Sequence, residues 1–183
     1  MISLSQKQID NAIPKVKIGL EKYLWLQNEI NKRNVSLDRD FQKRFNAFYR
    51  VRRNKDWQKD FYTIMELNKD KEVSLEDVLI NLYKKVGRIE ASFASKLVAT
   101  INTKSPIIDK VVFNNLGLKL PAVNTKDRNL IIIQQYNHLI EEFSVFLKTQ
   151  NGKYLTEQFI KNYPQAEISE VKMLDLILWQ TRD

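Results

Sequence analysis

The chain has 183 residues, 43% hydrophobic and 28% charged, which excludes a disordered tail, a collagen-like chain and a membrane span and suits one globular domain. It has no cysteine and one histidine, so disulfides, thiolate centres, cysteine nucleophiles and histidine zinc sites are excluded, and no metal or cofactor is expected. Lysine and arginine number 30 against 22 acidic residues, a net charge of +8 that suggests an anionic partner, and four glycines with four prolines favour helices over turn-rich sheets.

Ser5-x-x-Gln8 is a capping-box pattern ahead of apolar residues at Ile9, Ile13, Val16, Leu20, Tyr23 and Ile30. Their spacing describes a helical stripe, with Gln27 in its missing slot. Pro14 either kinks that helix or starts a second one. The stripe covers about three heptads, the lower limit for a coiled coil, so packing within the domain is the expected use and homodimerisation the alternative.

The next helix is predicted from Ser36 to Arg52, capped by Ser36, with Asp38 and Asp40 at the positive end of its dipole. Phe41, Phe45, Phe48 and Tyr49 form its buried face. A third, Lys55 to Leu67, buries Trp57, Phe61, Ile64 and Met65. Ser74-x-x-Asp77 opens a helix to about Val86, Gly87 interrupts it, and the pattern resumes from Glu90 to Ile101. Ser105-Pro106 starts a short helix, Ile107 to Leu116, stopped at Gly117. Asn124 to Lys148 is long, with Leu130, Ile133, Tyr136, Ile140, Phe143 and Leu147 as its apolar face. Asn151-Gly152 ends it, Tyr154 to Asn162 follows, and Ser169 caps a last helix through Trp179. The expected fold is all-α: a single compact multi-helix domain of about eight to nine helices. It has a basic helical part over 1–68 and a second helical part over 74–183. The N-terminus lacks the apolar core and cleavage site of a secretory signal, so a cytoplasmic location away from membranes is expected.

Charge is concentrated early. Residues 1–60 hold 14 basic and 7 acidic side chains, and residues 61–183 hold 16 and 15. The densest block is Arg39, Lys43, Arg44, Arg50, Arg52, Arg53, Lys55 and Lys59, against Asp40 and Asp56. Arg39, Lys43 and Arg50 are placed on one helical face, opposite the phenylalanine stripe. Cations held together on a rigid apolar backing are what phosphate contacts require. The plainer use is a solvated helix face. The aromatics repeat at helical spacing, so they belong to the core rather than to a base-stacking platform.

Three other places carry chemistry-bearing residues. Asp109 sits among apolar neighbours, as either a helix cap or a carboxylate with a raised pKa. Lys172, Asp175 and Trp179 share a helical face, where a structural hydrogen bond or ion pair is the expected role. His138 is four positions before Glu142 on the long helix and reads as a surface histidine.

Two resemblances appear at these residues. Phe93-Ala94-Ser95-Lys96-Leu97, Thr100-Ile101-Asn102, Ser105-Pro106-Ile107-Ile108-Asp109 and Lys172 to Gln180 resemble a group of small bacterial proteins of unassigned function. Val86-Gly87-Arg88 with Ala91, followed by Pro106-Ile107-Ile108-Asp109 with Val112, resembles the helix-hairpin-helix core of the base-excision DNA glycosylases. Gly87 precedes Asp109 by 22 residues, close to the spacing in that superfamily. The resemblance implies that Asp109 is the catalytic aspartate and that the Gly87 turn is a phosphate-binding hairpin, flanked by Lys84, Lys85 and Arg88. The superfamily's first hairpin glycine is missing at Tyr83-Lys84-Lys85. Its lysine nucleophile falls at Ile89, so lyase chemistry is not expected. The leading expectation is therefore a DNA-binding protein that contacts phosphate through the 39–59 block and the Gly87 turn. The alternative is a non-enzymatic protein–protein interaction module or a homodimerising structural protein.

Overall fold

The computed structural model describes residues 1–181 and is all-helical, with ten α-helices, one 3-10 turn and no strand among those residues. The helix beyond the expected eight to nine comes from Pro14, which divides the N-terminal stripe. No described helix is long and apolar enough to cross a membrane. The chain divides into two compact units: Met1–Leu20 with Thr103–Asp183, and Glu21–Asn102. The basic segment 1–68 is thus shared between them.

In the first unit, α1 (Gln6–Ala12) opens with the expected capping box. Ser5 Oγ accepts from Gln8 N at 3.3 Å, and Gln8 Oε1 accepts from Ser5 N at 2.9 Å. Pro14 falls in the first turn of a 3-10 segment, Ile13–Val16, where its missing N–H costs no helical bond. The chain continues as α2 (Lys17–Glu29). Ile9, Ile13, Val16 and Leu20 are buried, as the stripe requires.

Four expectations for the C-terminal half need correction. The short helix α7 is Lys110–Asn115 and does not start at Ile107. Asp109 is extended and caps it, while Ile107 and Ile108 are buried in non-helical chain. The long helix α8 is Arg128–Lys148, entered through Asp127 at φ 53°. Its buried face is Ile132, Tyr136, Leu139, Phe143 and Phe146, whereas Leu130 is 55% and Ile140 41% exposed. Both stripes have helical spacing and share Tyr136 and Phe143, so periodicity alone does not choose between them. Finally, Gly152 does not end α8. It lies inside α9 (Gln150–Asn162), where an added Cβ would fall 2.1 Å from the Phe146 carbonyl oxygen. The break is made by extended Thr149, whose Oγ1 donates to Phe146 O at 2.6 Å and accepts from Gly152 N at 3.0 Å. Glycine is there to let the two helices meet at that corner.

The last helix, α10 (Glu170–Gln180), is capped by Ser169 as expected. It packs against α7, α8 and α9. Its Lys172 and Asp175 form an ion pair at 2.7 Å, both buried, and Lys172 Nζ lies 5.5 Å from the Trp179 ring centroid. Nearby, Tyr136 donates to Pro106 O at 3.1 Å. Burial pushes the Tyr136 hydroxyl up to about 12, a hydrogen bond with Ser105 opposes that rise, and the Asp175 charge adds to it.

The second unit holds the rest of α2, then α3 (Arg39–Tyr49), α4 (Lys55–Asn68), α5 (Leu75–Val86) and α6 (Ala91–Ile101). Asp38, not Ser36, caps α3. Ser36 is caught in a turn in which Asn34 Oδ1 accepts from its N–H and its hydroxyl. The Phe41 N–H and Arg33 hold the Asp38 carboxyl below the usual carboxylate range. The helix ends at Tyr49, because Arg50 takes a left-handed conformation at φ 54°. Arg50 therefore leaves the helical face on which the sequence placed it with Arg39 and Lys43. The aromatics are core, as expected. Phe45 lies 4.6 Å from Tyr49, 5.7 Å from Phe61 and 5.7 Å from Tyr62, centroid to centroid, tying α3 to α4. Trp57 stacks on Phe61 at 5.0 Å and meets Phe93 of α6 at 4.8 Å. Each such ring pair adds about 0.5–1.5 kcal/mol beyond the area it buries.

Candidate nucleic-acid interface

All eleven residues expected to contact DNA fall in the second unit, and Asp109 falls in the first. The eleven do not form one surface of unengaged charge. Arg44 pairs with Asp40 at 3.1 Å and lies 4.3 Å from the Trp25 centroid. Arg39 reaches Gln42 Oε1 at 3.3 Å. Arg53 is half-buried, bound to Glu90 Oε2 at 2.8 Å and laid over Phe93 at 5.1 Å. These three serve packing on this unit as much as outward charge. Lys43, Arg50, Arg52, Lys55, Lys84, Lys85 and Arg88 are exposed and make no ion pair among the described residues.

Two stretches of this second group meet. Arg52, on the α3–α4 connection, and Lys85 with Arg88, at the α5–α6 connection, line one cleft of about 430 Å³. Local rules explain how. Asn54 accepts from Trp57 N at 3.0 Å and so starts α4 just after Arg52 and Arg53. Gly87, at φ 65°, ends α5 and turns the chain toward α6. An added Cβ at Gly87 would meet nothing within 4 Å, so its backbone angle alone calls for glycine. Its N–H donates to Tyr83 O at 2.9 Å and is taken up by the helix end. The packing of α4 on α5 and of α5 on α6 then brings both connections to the same cleft.

Apart from Arg53, the cleft wall holds residues that the sequence did not assign to the site. Trp57 is 9% exposed, and neither its Nε1 nor Arg53 Nε has a hydrogen-bond acceptor among the described residues. Asp56, Asp60 and Glu90 also line the cleft. Asp56 and Asp60 make no ion pair among the described residues, although Arg52, Lys85 and Arg88 share the cleft with them. Glu90 is 37 positions from Arg53, and no local spacing rule could have joined them. The local signal that could have placed the start of α4 is Asn54, a capping residue three positions before Trp57.

Asp109 takes the capping alternative. Its Oδ1 accepts from Val111 N at 2.8 Å. Of the remaining candidates, His138 is about half exposed, 3.9 Å from Glu142, whose carboxylate also accepts from Ile2 N at 2.9 Å. The Lys172–Asp175 pair is realised as the structural ion pair expected.

No protein-family model, curated protein or solved structure matches the chain.

Proposed function

We propose that the chain binds nucleic acid, with DNA the leading candidate, through the cationic rim of the second unit's cleft. The observation that carries this is the convergence of Arg52 with Lys85 and Arg88, 33 and 36 positions away in the sequence, around one concavity. Arg50, Lys55 and Lys84 extend the positive surface along the same two connections. Fixed cations of this kind gain affinity by releasing counterions from phosphates. The α5–Gly87–α6 helix–turn–helix supports a hairpin-type phosphate contact, carried here by Lys85 and Arg88 rather than by the Gly87 N–H. Base removal by Asp109 is not part of the proposal, since that carboxylate is engaged in capping α7.

The test is fluorescence anisotropy with labelled duplex and single-stranded oligonucleotides over a salt series. Binding should weaken steeply as salt rises. An Arg52→Glu/Arg88→Glu variant should bind at least tenfold more weakly. Its salt slope should fall by about two, one for each phosphate that the protein no longer neutralises. Wild-type binding that is absent at low salt, or unchanged in the variant, would overturn the reading.

A further inference from the structure

We infer that Tyr83 is a stacking platform for an unpaired base, so that the chain prefers a single strand to a duplex. The inference rests on the nucleic-acid reading above and assigns the strand form that the site takes. Tyr83 is 52% exposed, and of the 19 aromatic side chains it alone is exposed rather than buried or partly buried. Its side chain makes no hydrogen bond and no ring contact among the described residues. Ile80, three positions earlier on the same side of α5, is 39% exposed, so the ring continues into an apolar neighbour. One turn later, Gly87 brings no side chain, and an added Cβ there would meet nothing within 4 Å, which leaves that side of the ring open.

The charges around this patch select its occupant. The acidic residues of α5, Glu76 and Asp77, lie in its first turn, while Lys84 and Lys85 lie in its last. Arg88 follows just beyond Gly87 and is exposed. The helix turns Leu75, Val78, Leu79 and Leu82 inward. Tyr83 and Lys85, two positions apart, therefore leave α5 on opposite flanks, with Lys84 between them on the outer side. Lys85 lines the cleft. A strand with a phosphate in the cleft thus crosses the end of α5 over Lys84, a span of about 10–12 Å, and arrives at Tyr83. Three cations at the edge of one exposed ring complement a polyanion that carries flat apolar groups. A single strand has that chemistry. Every base has a π-face, so stacking on the ring needs no particular sequence. A duplex keeps those faces against neighbouring base pairs and offers only its phosphates.

The experiment uses the full chain and three labelled probes: a 12-mer of dT, a 12-mer of abasic units with the same phosphates, and a 12-base-pair duplex. Electrostatics alone favours the duplex, which has the denser phosphate charge, and treats the two single strands alike. Stacking should reverse that order. Oligo-dT should bind at least about fivefold more tightly than the abasic strand, and more tightly than the duplex. Tyr83→Ala, an exposed change to a strong helix former, should remove that advantage with the helical circular dichroism unchanged. It should leave abasic-strand binding and the salt slope as they were. Tyr83→Phe keeps the ring and should keep the advantage. Four results would overturn the inference while leaving phosphate binding intact: equal binding of oligo-dT and the abasic strand, tighter binding of the duplex, an advantage that survives Tyr83→Ala, or a loss as large in Tyr83→Phe. No binding to any probe would overturn both.

Discussion

Glu21–Asn102 carries 17 basic and 12 acidic side chains and 11 of the 19 aromatic rings, while the other unit carries 13 basic, 10 acidic and eight rings. Cut by sequence at residue 60, the excess charge is +7 against +1. Cut by compact unit, it is +5 against +3, because residues 1–20 bring Lys7, Lys15, Lys17 and Asp10 to the C-terminal half. The units differ less in how much charge they carry than in where it sits. The second stacks rings behind a cleft whose lining holds one ion pair, Arg53 with Glu90, and leaves Arg52, Lys85 and Arg88 unpaired beside Asp56 and Asp60. The first takes one lysine and one aspartate out of water and pairs them inside α10. Net charge alone therefore does not say where a unit presents its cations.

The strongest break of this contrast is at the buried pair. Lys172→Met should destabilise the protein by about 3–5 kcal/mol in chemical denaturation, because it removes the buried lysine that neutralises Asp175. Replacing both, as Lys172→Met with Asp175→Leu, should recover most of that loss; failure to recover would mean the pair does more than neutralise itself. Gly152→Ala comes next. A Cβ 2.1 Å from a backbone oxygen forces the α8–α9 corner apart, at about 1–3 kcal/mol, measured in the same way.

In the second unit the effects on folding are smaller. Ser74→Ala should cost about 1 kcal/mol by removing the cap of α5. It should also change a pH dependence. Hydrogen bonds from the Ser74 hydroxyl and N–H hold the Asp77 carboxyl below the usual carboxylate range. The stabilisation they give is complete above that range and is lost as pH falls through the lowered value, so the variant's stability should fall less on acidification. The smallest expected effect, Asp109→Asn, lies in the first unit. Asparagine caps helices about as well as aspartate, so the melting temperature should move by little. If the variant lost a base-removal activity that the wild type shows, Asp109 would be more than a cap.

Much of the fold was legible because it is set locally. Ser5 with Gln8, Ser74 with Asp77, Ser169 before α10 and Gly87 after α5 act on atoms within four residues, and the side chains that make these caps are written in the sequence. The phase of α8 was not legible. Leu130 and Ile140 fit a helical stripe as well as Ile132 and Leu139 do, and only the packed neighbours decide which stripe is covered. Gly152 was misread for a related reason: a helix stop and a helix contact both call for glycine, and the sequence does not say which backbone approaches it.

The candidate site divides along the same line. The sequence by itself determined the helical class, the caps at Ser5, Ser74 and Ser169, the aromatic core and the presence of two cationic stretches, since composition and short-range spacing govern all of these. Tertiary structure decided which cations remain unpaired. It bound Arg53 to Glu90 across 37 positions, turned Arg50 off its helix and brought Arg52 to the same cleft as Lys85 and Arg88. Such contacts depend on how α4, α5 and α6 pack, and packing is a property of surfaces that no single stretch of chain contains.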